Sequence, residues 1–384
     1  MGSLLLTIAL VMTAGWFAVA AIGMRRIGRL SENKEPRVDG PRVSVVLAAR
    51  DEAQHLGATL DTLRAQTYPS LEIVVVDDRS ADATGAIADA AAAADARIQV
   101  VHVESLPAGW LGKNHALQAG AARTRGDLLL FTDADVRFLP GTVAGAVEIV
   151  ETEGLDHLAA LPTITSPSAA VRWSIGAFAM FFLLFTRAWR VPDPSSRASI
   201  GIGAFNLVRA SAYRAVGGHE QIRLRPDDDL MLGRVLKQHG FRAGLRTSGG
   251  TVNVDWYASL GELVRGVEKN TFAGLNYSAL AAVASVSGLI VHAGYFLLPL
   301  LLTGSMRVLA LASVAILLAS GAVAAPSIGQ SAWTTVLQPI AALLFAGVQA
   351  RATVLTLARG GIFWRGTFYP LSDLRRNQPP TTGR

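Results

Sequence analysis

The acidic residues of this chain gather in three short clusters whose spacing suits work on a charged ligand. The first is Thr132-Asp133-Ala134-Asp135, directly after the apolar run Leu128–Phe131. Carboxylates at i and i+2, on the turn that leaves a buried strand, can both reach one hard cation. Mg2+ or Mn2+ suits such a place, because these ions take oxygen ligands and complete their shells with substrate phosphates. Aspartate is common in plain turns too. The position at a strand's carboxyl end, where doubly wound folds bind nucleotides, is what gives the pair weight. The second cluster, Asp77-Asp78, ends the run Leu71–Val76 and leads into Arg79-Ser80-Ala81-Asp82-Ala83-Thr84. Two aspartates at a strand tip can hydrogen-bond a base or ribose hydroxyls. The competing use is an Asx turn capping the next helix, a task for Ser80 and Asp82.

The third cluster is Asp227-Asp228-Asp229, followed by Leu230, Leu232 and Val235 at helical spacing. A helix N-terminus favours negative charge, yet three adjacent carboxylates repel one another. That cost is easier to understand if one of them acts as a base near a metal-bound diphosphate. In Gly109-Trp110-Leu111-Gly112-Lys113-Asn114-His115-Ala116, a helix start follows glycine and carries a lysine. Its N–H groups and Lys113 can hold a phosphate, or Lys113 is a solvated surface residue. The seven histidines show no metal-ligand spacing, and His55, His102, His157 and His239 are expected at the surface or in packing.

These residues need a framework, and the stretch from Arg42 to about Asp255 has the pattern of one. Val43–Ala48, Leu71–Val76, Ile98–Val103 and Leu128–Thr132 are short apolar runs suited to buried parallel strands. Between the first two, Ala53, Leu56, Leu60 and Leu63 recur at helical spacing, and Pro69 ends the helix. The Ala-rich Ala86–Ala94 and a segment from about Lys113 to Ala122 supply two more helices. Alternating strands and helices predict an α/β domain wound on a mostly parallel, Rossmann-like sheet, with the ligand site at the strands' carboxyl ends.

The flanks have a different character. The chain is 51% hydrophobic and 17% charged, with a mean hydropathy of +0.36; soluble domains carry about 25% charged residues. Residues 2–24 hold no charge, and Leu4–Ile22 is long enough to cross a bilayer, which takes about 20 apolar residues. Arg25, Arg26, Arg29, Lys34 and Arg37 follow this run rather than precede it, so a retained anchor over 1–24 is expected, with a cytoplasmic domain after it. Trp173–Trp189, flanked by Arg172, Arg187 and Arg190, predicts an interfacial helix within 166–190. The α/β domain spans 40–255 and an amphipathic interfacial segment 256–278. Transmembrane helices fill 279–358, with apolar runs near 279–303, 308–325 and 332–357, and a basic tail occupies 359–384. Three C-terminal crossings would put the Arg-rich tail outside, against the positive-inside rule. Either one run is re-entrant or interfacial, or the tail breaks the rule.

The net charge of +6 sits largely beside the apolar runs, which points to anionic headgroups rather than nucleic acid. With no cysteine, disulfides and thiolate metal sites are excluded. The spans carry only His292 as an ionisable group in their centres, which argues against a transporter.

Taken in order, the motifs resemble family 2 glycosyltransferases with a GT-A fold, from about Val43 to Asn276. Val43–Glu52 looks like the opening strand and nucleotide loop, which assigns Ala48, Arg50 and Glu52 to the donor. Ala48 stands where the family usually has proline, and Asp51 where it has asparagine. Val76–Thr84 resembles the nucleoside-contacting segment, with Asp78 as the contact, and Asp133-Ala134-Asp135 matches the metal motif, with Asp133 also near the donor. Asp227-Asp228 is similar to the family's Glu-Asp pair. The resemblance therefore makes Asp228 the catalytic base, with Asp227 a second catalytic residue beside the diphosphate, and leaves Asp229 facing solvent. Gly217-Gly218-His219 fits the same pattern. Trp110–Asn114 and Lys269–Gly274 look like the membrane-bound branch associated with hopanoid and carotenoid pathways.

The Gln-x-x-Arg-Trp motif of processive synthases is missing; only Arg265 and Lys269 stand near its place. The resemblance implies inverting transfer of one sugar from a nucleotide sugar, a UDP-sugar being the expected donor, to a lipid or isoprenoid acceptor. It implies a divalent cation, Mg2+ or Mn2+, and a multi-pass protein of the inner membrane. A polyprenyl-phosphate sugar synthase, whose acceptor is already ionised, is the alternative.

Overall fold

The computed structural model describes residues 2–33, 35 and 40–377; Lys34, Arg37 and the tail from 378 onward lie outside the described residues. The chain forms two compact units. One comprises 28–165, 190–256 and 373–384, the other 1–27, 166–189 and 257–372.

The first unit is built on an eight-stranded sheet. Its spatial order is Gly28–Arg29, Ala243–Thr247, His157–Leu161, Asn206–Arg209, Leu128–Asp133, Val43–Ala49, Leu71–Asp78, Ile98–Val103. All neighbours are parallel except Asn206–Arg209, which is antiparallel to both of its partners. Val43, Val45, Val46 and Leu47 are fully buried, as expected of strands covered on both faces. The helix Leu56–Arg64 buries Leu56, Leu60 and Leu63, matching the predicted stripe. The helix Gly112–Ala121 lies against two strands at Gly120, where a Cβ would come within 2.7 Å of Val46 and 2.8 Å of Val76. A second sheet joins Val136–Phe138, Val252–Asp255 and Thr163–Thr165. The fold is α/β with a mostly parallel sheet. The helix after Asp78 starts at Thr84, whose N–H donates to Asp82 Oδ1 at 2.9 Å as the Asx-turn expectation had it; Ser80, expected to share that task, instead accepts the Asp51 N–H at 3.1 Å.

The second unit is helical. Among the described residues, four helical segments are long and apolar enough to cross a membrane: Ser3–Met24, Ala169–Thr186, Gly304–Ser327 and Ala332–Arg359. The run expected as a span near 279–303 is broken into the 17-residue helix Ala279–Tyr295 and the short helix Leu298–Leu301 around Pro299. Ala169–Thr186 is 18 residues long, but connectivity forbids a single crossing. His157–Leu161 precedes it and Ala243–Thr247 follows it, and these strands are hydrogen-bonded neighbours in one sheet. Both flanks of the helix therefore lie on the same side of any bilayer.

Candidate active site

Strand register assembles the site. Ala48 is level with Asp133 on one side and with Val76 on the other, and Ala49 is level with Asp77. The tips that carry Arg50–Glu52, Asp78 and Asp133 therefore meet at one edge of the sheet. The loop after Ala49 is laced to the segment after Asp78. Ala81 N–H donates to Asp51 Oδ1 at 2.8 Å, Glu52 N–H to Thr84 Oγ1 at 2.8 Å and Ala53 N–H to Asp82 Oδ2 at 3.1 Å. Asp51 has φ 54°, a left-handed conformation that aspartate and asparagine tolerate better than most residues. Aspartate in place of asparagine thus keeps this turn available.

The structure separates the Asp77-Asp78 pair. Asp77 accepts the Ser80 N–H at 3.2 Å and faces His102 Nδ1 at 3.1 Å, so it belongs to the turn. Asp78 is 2% exposed. It accepts from Arg79 Nε at 2.8 Å and Nη2 at 3.1 Å, and Arg50 Nη1 stands 4.0 Å away. A Cβ on Gly112 would collide with the Asp78 carboxylate, so glycine lets the helix start approach it.

Lys113 is not a solvated surface residue. Its Nζ lies 2.8 Å from Asp133 Oδ1 and 3.3 Å from Asp228 Oδ1. Burial works against its charge, but Asp133, Asp228 and Asp229 outweigh burial and hold the ammonium well above its usual range. The next residue explains why it sits there. Asn114 is fully buried and donates through Nδ2 to the carbonyls of Ile222 at 2.7 Å and Arg225 at 2.9 Å. The helix carrying Lys113 is thereby clamped to the segment that leads to the aspartate triplet. Asn114→Ala is expected to lower stability by about 1–3 kcal/mol, the cost of stranding buried polar partners; a thermal melt compared with wild type checks this.

The triplet does not divide as the resemblance implied. Asp227 is the N-cap residue of the helix Asp228–Gln238. Both its oxygens are held by Arg225, which is fully buried, with Nε at 2.8 Å and Nη2 at 2.6 Å. Expected beside the diphosphate, Asp227 is instead half of a buried ion pair outside the cleft. Asp229, expected to face solvent, lines a small cleft with Lys113, Asp133, Gly203, Asn206 and Asp228, floored by Leu117 and Phe131. Its Oδ2 accepts the Gly203 N–H at 2.7 Å. Burial first, then the neighbouring Asp228, pushes its carboxyl up to about 7. One turn of helix thus presents two acidic groups to the cleft, Asp228 paired with a lysine and Asp229 held by a backbone N–H.

The carboxyl of Asp135 is raised to about 6 by burial, then by Asp133 and by Glu52. Among the described residues, no three His, Asp or Glu side chains converge tightly enough to ligate a metal alone. The donors at this edge are carboxylate oxygens whose mutual repulsion a divalent cation would relieve. Two protein carboxylates leave ligand positions for phosphate oxygens, the usual arrangement for Mg2+ in phosphate-handling sites. The residues fit such an ion.

Sequence reasoning missed Gly203 and Arg225. A Cβ at Gly203 would lie 2.7 Å from Asp133 Oδ2, so only glycine lets this loop pass between Asp133 and Asp229. The spacing Gly201-Ile202-Gly203 was the available signal.

Comparison with known proteins fits this geometry. Residues 44–217 match the family model described as glycosyl transferase family 2. The chain carries a family 2 glycosyltransferase domain. It is distantly related to the 4,4'-diaponeurosporenoate glycosyltransferases of Staphylococcus haemolyticus and Staphylococcus aureus. With the first it shares 26% identity over 199 residues, 51% of this chain and 52% of the relative. With the second it shares 25% over 181 residues, 46% of each. The chain therefore aligns with only about half the length of these relatives. Its fold is similar to that of a mannosyltransferase from Pyrobaculum calidifontis solved with GDP-Man and Mn2+. That likeness has a TM-score of 0.55 at 18% identity and covers 92% of this chain and 96% of that one.

Proposed function

We propose that the protein transfers one sugar, with inversion, from a nucleotide sugar to an apolar lipid acceptor at a membrane. The observation that carries this reading is the convergence of Asp78, Lys113, Asp133, Asp228 and Asp229 at the carboxyl edge of one sheet. Asp78, framed by Arg79 and Arg50, would bind the nucleoside, and Ala48 and Glu52 border the same loop. A divalent cation held by Asp133 and Asp135 would supply Lewis-acid stabilisation of the charge that builds on the departing diphosphate. Lys113 adds a positive charge beside Asp133.

We assign the base role to Asp229 rather than Asp228. Lys113 Nζ, 3.3 Å from Asp228 Oδ1, already engages that carboxylate in an ion pair. Asp229 is half-buried, lines the cleft and accepts hydrogen bonds from the Gly203 and Leu230 N–H groups. Asp229 takes the proton of an acceptor hydroxyl while that oxygen attacks the anomeric carbon opposite the leaving diphosphate. One displacement inverts the configuration and requires no covalent nucleophile. The relatives named for 4,4'-diaponeurosporenoate support an isoprenoid-like acceptor, and the base role of Asp229 applies to one that presents a hydroxyl.

Asp78→Ala is expected to raise the donor KM far more than it lowers kcat, the signature of binding lost equally in ground and transition states. A large fall in kcat at constant KM would move Asp78 into the chemical step.

The α/β unit would lie on the cytoplasmic side of the cell membrane, as Arg25, Arg26 and Arg29 directly after the first helix support. The tail supports a matching count of crossings. Arg223 Nε donates to Asn377 Oδ1 at 3.2 Å within the α/β unit, so the chain crosses an even number of times between 256 and 373. Gly304–Ser327 and Ala332–Arg359 meet that count, with the broken segment 279–301 entering the bilayer without crossing.

A screen of nucleotide sugars for diphosphate release, run with membrane extracts containing candidate lipids, tests the function. Release is expected to require both a particular donor and lipid. Lipid-independent release at the full rate would rule out transfer to lipid.

A further inference from the structure

A second pocket, of about 230 Å3, opens where the helix Leu260–Ala273 packs along the helix Gln338–Arg359 and against the hairpin Gly361–Pro370. Four cations line it, Arg265, Lys269, Arg359 and Arg365, against the single carboxylate of Glu268. Glu268 sits 3.3 Å from Arg359 and 3.4 Å from Arg351, which ties it to two arginines of that helix. Lys269 Nζ lies 4.7 Å from the centre of the Trp364 ring. The hairpin turn has φ 47° at Arg365 and φ 76° at Gly366. Both are left-handed, as in the two-residue turns whose twist matches the strands they join. Arg365 is thereby held at the hairpin tip.

Beside the cations, the hairpin displays Phe363 at 63% and Phe368 at 40% exposure, their ring centres 4.9 Å apart. An exposed aromatic pair next to clustered cations is poorly placed in water and well placed at a bilayer interface. There the rings enter the acyl boundary and the cations meet headgroups. The helix Gln338–Arg359, which delivers the chain to this hairpin, belongs to a segment apolar and long enough to cross that bilayer.

We propose that this pocket binds the phosphate of an anionic phospholipid. Arg265, Lys269 and Arg365 are its ligands, and Phe363 and Phe368 pack against its acyl chains. Four clustered cations against one carboxylate attract an anion, and the exposed rings select a lipid-borne phosphate over a free one, which would leave them in water. The inference rests on the membrane placement proposed above and not on the sugar-transfer chemistry.

The test uses the full-length protein in detergent with mixed phosphatidylglycerol and phosphatidylcholine micelles, with retained lipids identified by native mass spectrometry. Wild type is expected to keep phosphatidylglycerol in preference to phosphatidylcholine. Arg265→Gln with Arg365→Gln is expected to lower that retention roughly 25-fold, from about fivefold per basic residue removed. Arg123→Gln, on an exposed turn of the other unit, should leave it unchanged. Inorganic phosphate at millimolar concentration should not displace the lipid. Equal retention by the double variant, equal retention of phosphatidylcholine, or displacement by phosphate alone would each overturn the proposal. If the double variant loses its thermal transition, Arg265→Gln alone carries the test, with about a fivefold loss expected. Sugar transfer is not read here, so lipid binding and the transferase function stand or fall separately.

Discussion

Asp229→Asn is expected to slow transfer to a hydroxyl acceptor by roughly 10²–10⁴-fold, the usual worth of a positioned general base. The substitution keeps an oxygen that can accept the Gly203 N–H, so the fold and donor affinity should be retained. What it removes is the ability to bind a proton in the cleft. Asp228→Asn should act differently. It takes one of two carboxylates from Lys113, so the effect should fall chiefly on donor KM. Asp227→Asn should act on stability, with a loss of about 3–5 kcal/mol, because it breaks a fully buried ion pair with Arg225. Turnover, donor binding by calorimetry and thermal melts on the three variants separate these roles. If Asp228→Asn produced the deep rate loss while Asp229→Asn stayed near wild type, the base would be Asp228, as the family resemblance first suggested.

The second large effect concerns Asp135. Asp135→Ala is expected to cost on the order of 10³-fold in transfer rate, since Lewis-acid stabilisation of the leaving charge is worth several kcal/mol. The protein should still fold, because burial and the fields of Asp133 and Glu52 already make this carboxylate unfavourable in the native state. Wild type should lose activity in excess chelator and recover it with Mn2+ or Mg2+, whereas the variant should not recover. Undiminished wild-type transfer in excess chelator would sink the metal assignment.

The parallel strands were readable because a strand buried on both faces is a continuous apolar run, as in Val43–Ala48 and Leu71–Val76. The Asp133-x-Asp135 turn was readable because it follows such a run directly. Asn206–Arg209 was not. It is four residues long with polar ends and is defined by its two antiparallel neighbours rather than by a pattern of its own. The aspartate triplet was only partly legible. Successive residues of a helix are about 100° apart around its axis. Asp227 is therefore turned away to Arg225, while Asp228 and Asp229 both reach the cleft. That Asp227 is the N-cap residue and pairs with Arg225, two positions upstream, is visible only when the turn is folded. The broken run 279–301 and the flanks of Ala169–Thr186 make the same point for the membrane part. Hydropathy sees apolar length, while sheet continuity and the Arg223–Asn377 contact are visible only in the folded chain.

The central claim, sugar transfer to lipid at this site, is tested most directly by following a labelled sugar from its nucleotide donor into the extracted lipid fraction. Wild type and Asp229→Asn would be compared with divalent cation and in chelator. The account predicts label in the lipid, of inverted anomeric configuration, for wild type with the cation. Little or none is expected for Asp229→Asn or in chelator. Label transferred equally well by Asp229→Asn, or with retained configuration, would contradict it.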